Sequence, residues 1–184
     1  YSNRLPIVLT GANDGMLHAF SVNQGGNFSA AEEIFAYIPS WLSSKLPLLT
    51  NKDYIEDNKH QAFVDAPSAV GEAQVNFRDN ESKVCGATYK SEPSKYFNCS
   101  TDWRTVLVSG TGAGGRGVFA LDISKPETFS KDNFLWEFTE ADDLDIGYVV
   151  KQPKIIKLKI SANEYRWFAA VPSGVNNYQS SFDD

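Results

Sequence analysis

Six residues in this 184-residue chain, Gly110-Thr111-Gly112-Ala113-Gly114-Gly115, carry glycines in G-x-G-x-x-G spacing. That spacing cradles a dinucleotide pyrophosphate when a strand precedes it and a helix follows, because the helix N-terminus then faces the phosphates. The run before it, TVLVS, suits a strand. The run after it, Arg116-Gly117-Val118-Phe119-Ala120-Leu121-Asp122, alternates as a strand rather than a helix. The glycines therefore read as a turn. A second candidate is the acidic knot Asp142, Asp143 and Asp145 in EADDLDIGY. Carboxylate oxygens of this kind hold calcium, but the alternating acids and distal Glu of an EF-hand loop are missing. These three are weak metal candidates, and a solvated loop is the expected reading. His18 and His60 are the only histidines and stand far apart, so no zinc triad is drawn. Ser109 could be pictured as a nucleophile, yet nothing is spaced to serve as its base. No catalytic residue, metal ligand or binding residue is assigned.

The only cysteines, Cys85 and Cys99, flank GATYKSEPSKYFN, a polar stretch whose Gly, Ser and Pro suit a surface loop. They either close that loop as a disulfide or remain two thiols. The disulfide is the favoured reading, and it implies an oxidising compartment. Closing a loop of this size would contribute about 3 kcal/mol.

Composition narrows the classes. Aromatic residues make up 13% and hydrophobic residues 42%, enough for a core, and the aromatic and Gly content leans towards β-structure. The net charge is −6 and no dense Lys/Arg cluster occurs, which argues against nucleic acid as a partner. No run of 18 apolar residues occurs, so no transmembrane segment is expected. The chain opens at Tyr1-Ser2-Asn3 without a visible signal peptide, and it reads as a piece of a longer protein.

The elements that would position these residues repeat. IVLTGANDGMLHAFS (7–21) and TVLVSGTGAGGRGVFALD (105–122) share an apolar run ending in Gly, a turn with a second Gly, and an alternating run through Ala. In the first unit, strands are expected over 7–10, 16–21 and 33–38, with an Asn-Asp-Gly hairpin turn between the first two. Residues 39–59 form an insertion with a short helix or two, broken at Pro47. Residues 63–75 read as the inner strand of the next unit, with Pro67 near its start. Strands at 104–109, 118–123 and 134–138 complete that unit around an insertion at 76–103. A third unit begins at Gln152-Pro153 and IIKLKI, with Pro153 matching Pro67. It continues through 165–171, and Pro172-Ser173-Gly174 matches the Gly-terminated strand of the earlier units. Trp136 and Trp167 are expected to fill gaps between sheets, whereas Trp41 and Trp103 belong in or beside the insertions, nearer the surface.

Four strands per unit, repeated around glycine turns, is the pattern of a propeller blade. The fold class is all-β: an incomplete β-propeller of about two and a half blades of antiparallel strands with a short helical insertion. It is read as a single partial domain over 1–184. A ring needs at least about four blades, so exposed strand edges are expected.

GANDGMLHAF (11–20), IFAYIPSWL (34–42), FVDAPSAVGEAQV (63–75), WRTVLVSGTGAGGRGVFALDI (103–123), LWEFTEADDLDIGYVVKQPKI (135–155) and WFAAVPSGVNN (167–177) together resemble the PilC/PilY proteins of type IV pili. The resemblance runs in order over nearly the whole chain and is most specific in the glycine-rich segment. It implies a C-terminal modified β-propeller of an extracytoplasmic protein at the pilus tip, on the cell surface or in the periplasm. It also implies a role in pilus assembly and adhesion, with pilus components or a host surface as partners. The calcium-binding Asp-rich loop of that family lies beyond the matched region, so no cofactor is placed in this segment and no metal ligand is carried over. Ser21 departs from the Asp of the family, which the second unit keeps as Asp122. The repeats are also similar to quinone-dependent dehydrogenase propellers around A-x-D-G and a Trp. Those enzymes hold quinone and calcium in a closed ring, and their adjacent cysteines and dense polar axial residues are not seen here. The reading is therefore a non-catalytic pilus module that presents loops, with a dehydrogenase fragment as the alternative.

Overall fold

A computed structural model describes residues 4–54, 60–76, 101–162 and 164–176. Among the described residues, nine strands form three antiparallel sheets. β1 (Ile7–Gly11), β2 (Leu17–Ser21) and β3 (Glu33–Tyr37) make the first. β4 (Ala69–Asn76), β5 (Thr101–Gly110), β6 (Gly117–Asp122) and β7 (Phe134–Thr139) make the second. β8 (Lys154–Ser161) and β9 (Glu164–Ala170) make the third.

Burial shows how the sheets stack. β6 is buried along its whole length, because side chains on its two faces enter different cores. Phe119 and Leu121 join Leu107 of β5 against Leu17, Ala19 and Phe35 of the first sheet. Ala120, with Val106 and Val108, faces Ile155, Trp167 and Ala169 of the third. The second sheet is thus a complete four-stranded blade between two partial ones, and the architecture is an incomplete β-propeller. Trp136 and Trp167 both pack into the core between the second and third blades, as expected.

The repeat extends to fine geometry. Gly11 pairs with Leu17 and Gly110 with Val118, so the two glycines occupy one register position. The register then shifts after Ala19 in β2 and after Ala120 in β6, a bulge at the same place in both blades.

Several boundaries differ from the sequence reading. The inner strand expected from Phe63 begins at Ala69, because Phe63–Ala66 is engaged by the glycine turns of two blades and Pro67 withholds a donor. Pro153 likewise stands just outside its strand. The helical insertion is a single 3-10 run, Ser40–Thr50, with Pro47 inside it rather than at a break. Each 3-10 bond spans only three residues, and the bond from Asn51 N–H to Leu48 closes the run beyond the proline. Residues 55–59 of that insertion lie outside the described residues. Of the insertion at 76–103, Asn76 ends β4 and Thr101–Trp103 opens β5, so Trp103 stands in a strand opposite Gln74. Two short 3-10 turns, Pro126–Thr128 and Lys131–Asn133, join β6 to β7 and were not legible beforehand.

Candidate functional site

The glycine-rich segment holds a chain rather than a phosphate. Gly110 ends β5, Gly112–Gly114 is a three-residue 3-10 turn, and β6 follows at Gly117. No helix stands where a pyrophosphate would need one. The glycines instead admit the segments leading into the inner strands. A Cβ on Gly11 would strike the carbonyl oxygen of Val64, and one on Gly110 would lie 2.8 Å from that of Val149. Val64 and Val149 precede β4 and β8, so the strand-end glycine of each blade seats the lead-in of the next.

A second glycine contact runs within the second and third blades. Gly112 has φ +58, and a Cβ there would lie 3.0 Å from the backbone of Asp65. Gly174 has φ +86 and stands against the backbone of Tyr148, where a Cβ would lie 2.6 Å from its oxygen. Asp65 N–H donates to Thr111 O at 3.3 Å, and Gly147 N–H donates to Ser173 O at 2.5 Å. Gly174 therefore matches Gly112, the turn glycine, and not the strand-end glycine expected from the sequence. A Cβ on Gly114 would overlap the carbonyl of Phe63. Asn13 Oδ1 accepts from Phe63 N–H at 3.1 Å, and Val64 N–H donates to Ala12 O at 3.1 Å. The Asn-Asp-Gly turn thus has two uses: Asn13 grips the lead-in, while Asp14 Oδ1 accepts from Met16 N–H at 3.0 Å to close the hairpin.

The 3-10 insertion caps this junction. The Trp41 ring lies over Gly115 and Gly117, and its indole N–H donates to Thr111 Oγ1 at 3.4 Å. Lys45 Nζ donates to Gly114 O at 2.5 Å. Trp41 is consequently half-buried and packed on the first core, deeper than its place in an insertion suggests.

The other sequence candidates fall in different places. Asp142, Asp143 and Asp145 are all exposed. Asp142 Oδ2 accepts from Thr139 N–H at 2.9 Å, and Asp143 Oδ1 accepts from Asp145 N–H at 3.0 Å. Two of the three carboxylates therefore close the turn after β7. Among the described residues, no group of three or more His, Cys, Asp or Glu side chains has the arrangement of a metal site. Ser109 is fully buried; it accepts from Ser68 Oγ at 3.0 Å and donates to Gly110 O at 3.0 Å, so its hydroxyl is engaged in packing. His60 lies beside the Tyr54 ring at 5.6 Å. Cys85 and Cys99 lie outside the described residues.

Three polar clusters were missed. His18 stands between two carboxylates, with Nε2 2.9 Å from Asp14 Oδ2 and Nδ1 2.7 Å from Glu33 Oε1. Burial lowers its pKa, but the hydrogen bonds and charges of Glu33 and Asp14 outweigh that effect and hold it above 6.5. Glu137 on β7 accepts from Tyr37 Oη at 2.6 Å and from Ser40 N–H at 2.7 Å, and Ser40 Oγ donates to its other oxygen. Glu72 Oε1 accepts from Arg4 at 3.0 Å and from Thr105 Oγ1 at 2.6 Å. Only the hairpin spacing of Asp14 and His18 offered a signal, since the other partners come from separate strands or segments of the chain.

Ser21 and Asp122, which differ between the units, do similar work. Ser21 Oγ bonds the backbone of Ser29 and Glu32, and Asp122 Oδ1 accepts from Ser124 N–H at 2.9 Å and Ser124 Oγ at 2.5 Å. Each fastens the connection leaving its strand, which explains why the change is tolerated.

Comparison with known proteins places this geometry. The family model described as the PilY1 beta-propeller domain matches residues 1–184. A type IV pilus biogenesis factor PilY1 from Pseudomonas aeruginosa (strain UCBPP-PA14) is 36% identical over 180 residues, 98% of this chain and 12% of that protein. A PilY1 homolog from Xylella fastidiosa (strain Temecula1) is 34% identical over 170 residues, 92% of this chain and 9% of that protein. The crystal structure of the Pseudomonas aeruginosa PilY1 C-terminal domain superposes with a TM-score of 0.56 at 27% identity, covering 95% of this chain and 26% of that one. The chain thus spans about a tenth of the length of the curated relatives it matches. With its repeated bulge, its glycine-seated lead-ins and a family match along its whole length, the chain belongs to the PilY1 β-propeller domain family.

Proposed function

We propose that this chain is part of a non-catalytic propeller scaffold in type IV pilus biogenesis, working outside the cytoplasm and presenting loops to pilus components or a host surface. The observation that carries the reading is the family match over residues 1–184. The use of the motif glycines in packing supports it, since the most chemistry-like motif of the chain is occupied by backbone. In this reading 1–184 acts as one partial domain. The 76–103 insertion, pinned by a Cys85–Cys99 disulfide, and the turn at 142–148 are the contact loops. Calcium, where the parent protein uses it, binds outside this segment.

The test is made in the organism that carries the gene. Deleting the gene should reduce surface pili and pilus-driven motility, and unchanged piliation would overturn the pilus role. Excising residues 78–99 should leave piliation intact but impair attachment; unchanged attachment would remove that loop from the contact surface. Alkylation of the unreduced protein should leave Cys85 and Cys99 unlabelled, and label on both would overturn the disulfide. Saturable pyrroloquinoline quinone binding with calcium-dependent dye reduction would replace the scaffold reading with the dehydrogenase one.

A further inference from the structure

In a chain of net charge −6, residues 151–171 carry Lys151, Lys154, Lys157, Lys159 and Arg166 against the single acid Glu164. Strand alternation sorts this charge. Lys157 pairs with Trp167 and Lys159 with Tyr165, so these four share one face of the β8–β9 ribbon. Lys157 Nζ stands 5.5 Å from the ring centroids of both Tyr165 and Trp167, and Lys159 Nζ stands 5.9 Å from that of Tyr165. Trp103 of β5 meets Trp167 edge-on at 5.6 Å and carries the aromatic row onto the neighbouring blade. Among the described residues no carboxylate pairs with either ammonium. Tyr165 is 55% exposed and Trp103 50% exposed.

Exposed aromatic rings are costly on a surface with no task, and two like charges on neighbouring same-face positions repel. Both features become favourable against a ligand that brings anions and apolar ring faces together. Nucleic acid fits poorly, because phosphate binding draws on many cations along a track and this face offers two. Polymers of acidic sugars fit better. Each ring supplies one carboxylate and a C–H face that lies flat on an aromatic side chain. Lys157 and Lys159, two residues apart on an extended strand, stand roughly 7 Å apart, so carboxylates borne along one polymer chain can reach both.

We infer that the row Trp103–Trp167–Lys157–Tyr165–Lys159 is a binding surface for an acidic polysaccharide, with sugar carboxylates on the two ammonium groups and a sugar ring on Tyr165. The inference is independent of the pilus role, because it is measured on purified protein and either can fail alone.

The experiment titrates the purified protein, with this chain intact, against polygalacturonate, its methyl ester, polyglutamate and single-stranded polydeoxythymidylate. Saturable binding to polygalacturonate is expected, weakened by salt and by esterification. Lys159→Gln, at an exposed position, should raise Kd roughly tenfold, and adding Lys157→Gln should abolish binding. Tyr165→Ala should weaken polygalacturonate binding more than any binding to polyglutamate. Circular dichroism checks that each variant is folded, and Lys159→Gln keeps the test open should Tyr165→Ala unfold. Absence of saturable polygalacturonate binding, or binding indifferent to Lys159→Gln, overturns the inference. Equal affinity for polyglutamate or polydeoxythymidylate also overturns it, since charge alone would then account for the contact.

Discussion

Glu137 Oε1 accepts a 2.6 Å hydrogen bond from the hydroxyl of Tyr37, joining the outer strand of the second blade to the outer strand of the first. The same carboxylate takes Ser40 N–H and Ser40 Oγ, at the start of the 3-10 run. One side chain therefore holds two sheets and the insertion between them. Glu137→Ala removes the acceptor and leaves a half-buried phenol and a backbone donor without it. The expected loss is about 2 kcal/mol in urea denaturation. A double-mutant cycle with Tyr37→Phe should show a coupling of about 1 kcal/mol, and additive losses would show that the bond contributes little.

Tyr37 also predicts an alkaline limit. Burial first, and then the bond to Glu137, raise its pKa far above the ordinary value of 10.0. Its contribution is present while the phenol is protonated in both folded and unfolded chains. It is lost as pH rises beyond 10.0, where only the unfolded chain ionises. Ultraviolet titration should show one tyrosine ionising together with unfolding, and Tyr37→Phe should remove that phase.

His18 gives the same sign in a different window. Its pKa is raised above 6.5, so its stabilisation is complete below 6.5 and fades as pH rises through the folded value. Proton NMR should place the His18 titration above 6.5. Asp14→Asn with Glu33→Gln should lower it, and an unchanged titration would mean that the carboxylates are not engaged in solution.

Glycine substitutions separate packing from backbone preference. Gly26 has φ +57 with open space around it, so Gly26→Ala should cost about 1 kcal/mol through the backbone alone. Gly114→Ala would drive a methyl group into the Phe63 carbonyl, and a loss of about 3 kcal/mol or more is expected. Thermal melts of the two variants should differ clearly. Equal melting temperatures would remove the lead-in seat from the account.

The acidic turn can be tested directly. Asp142 and Asp143 cap backbone N–H groups, so Asp142→Ala should destabilise by about 0.5 kcal/mol with or without added calcium. A calcium-dependent rise in Tm that Asp142→Ala removes would return this loop to the metal candidates.

The strands were legible where one physical rule acted alone. Alternation in IVLTG and LHAFS, and the Asn-Asp-Gly turn between them, gave the first hairpin to within a residue. The glycine repeat gave the blade order, since only close backbone approach asks for glycine at both Gly11 and Gly110. Phe63–Ala66 misled because an apolar run reads as strand whether it pairs in a sheet or threads between turns. Pro47 misled because it breaks an α-helix but is accommodated in the 3-10 run. The polar clusters stayed hidden because their partners lie far apart in the chain, 100 residues in the case of Tyr37 and Glu137.

The strand-end glycines impose a direction on assembly. Gly11 receives Val64, and Gly110 receives Val149, so each receiving surface is finished earlier in the chain than the segment it accepts. A chain that emerges N-terminus first therefore presents the residues of each socket before those of its plug. Blades can be added in chain order, each one templating the next.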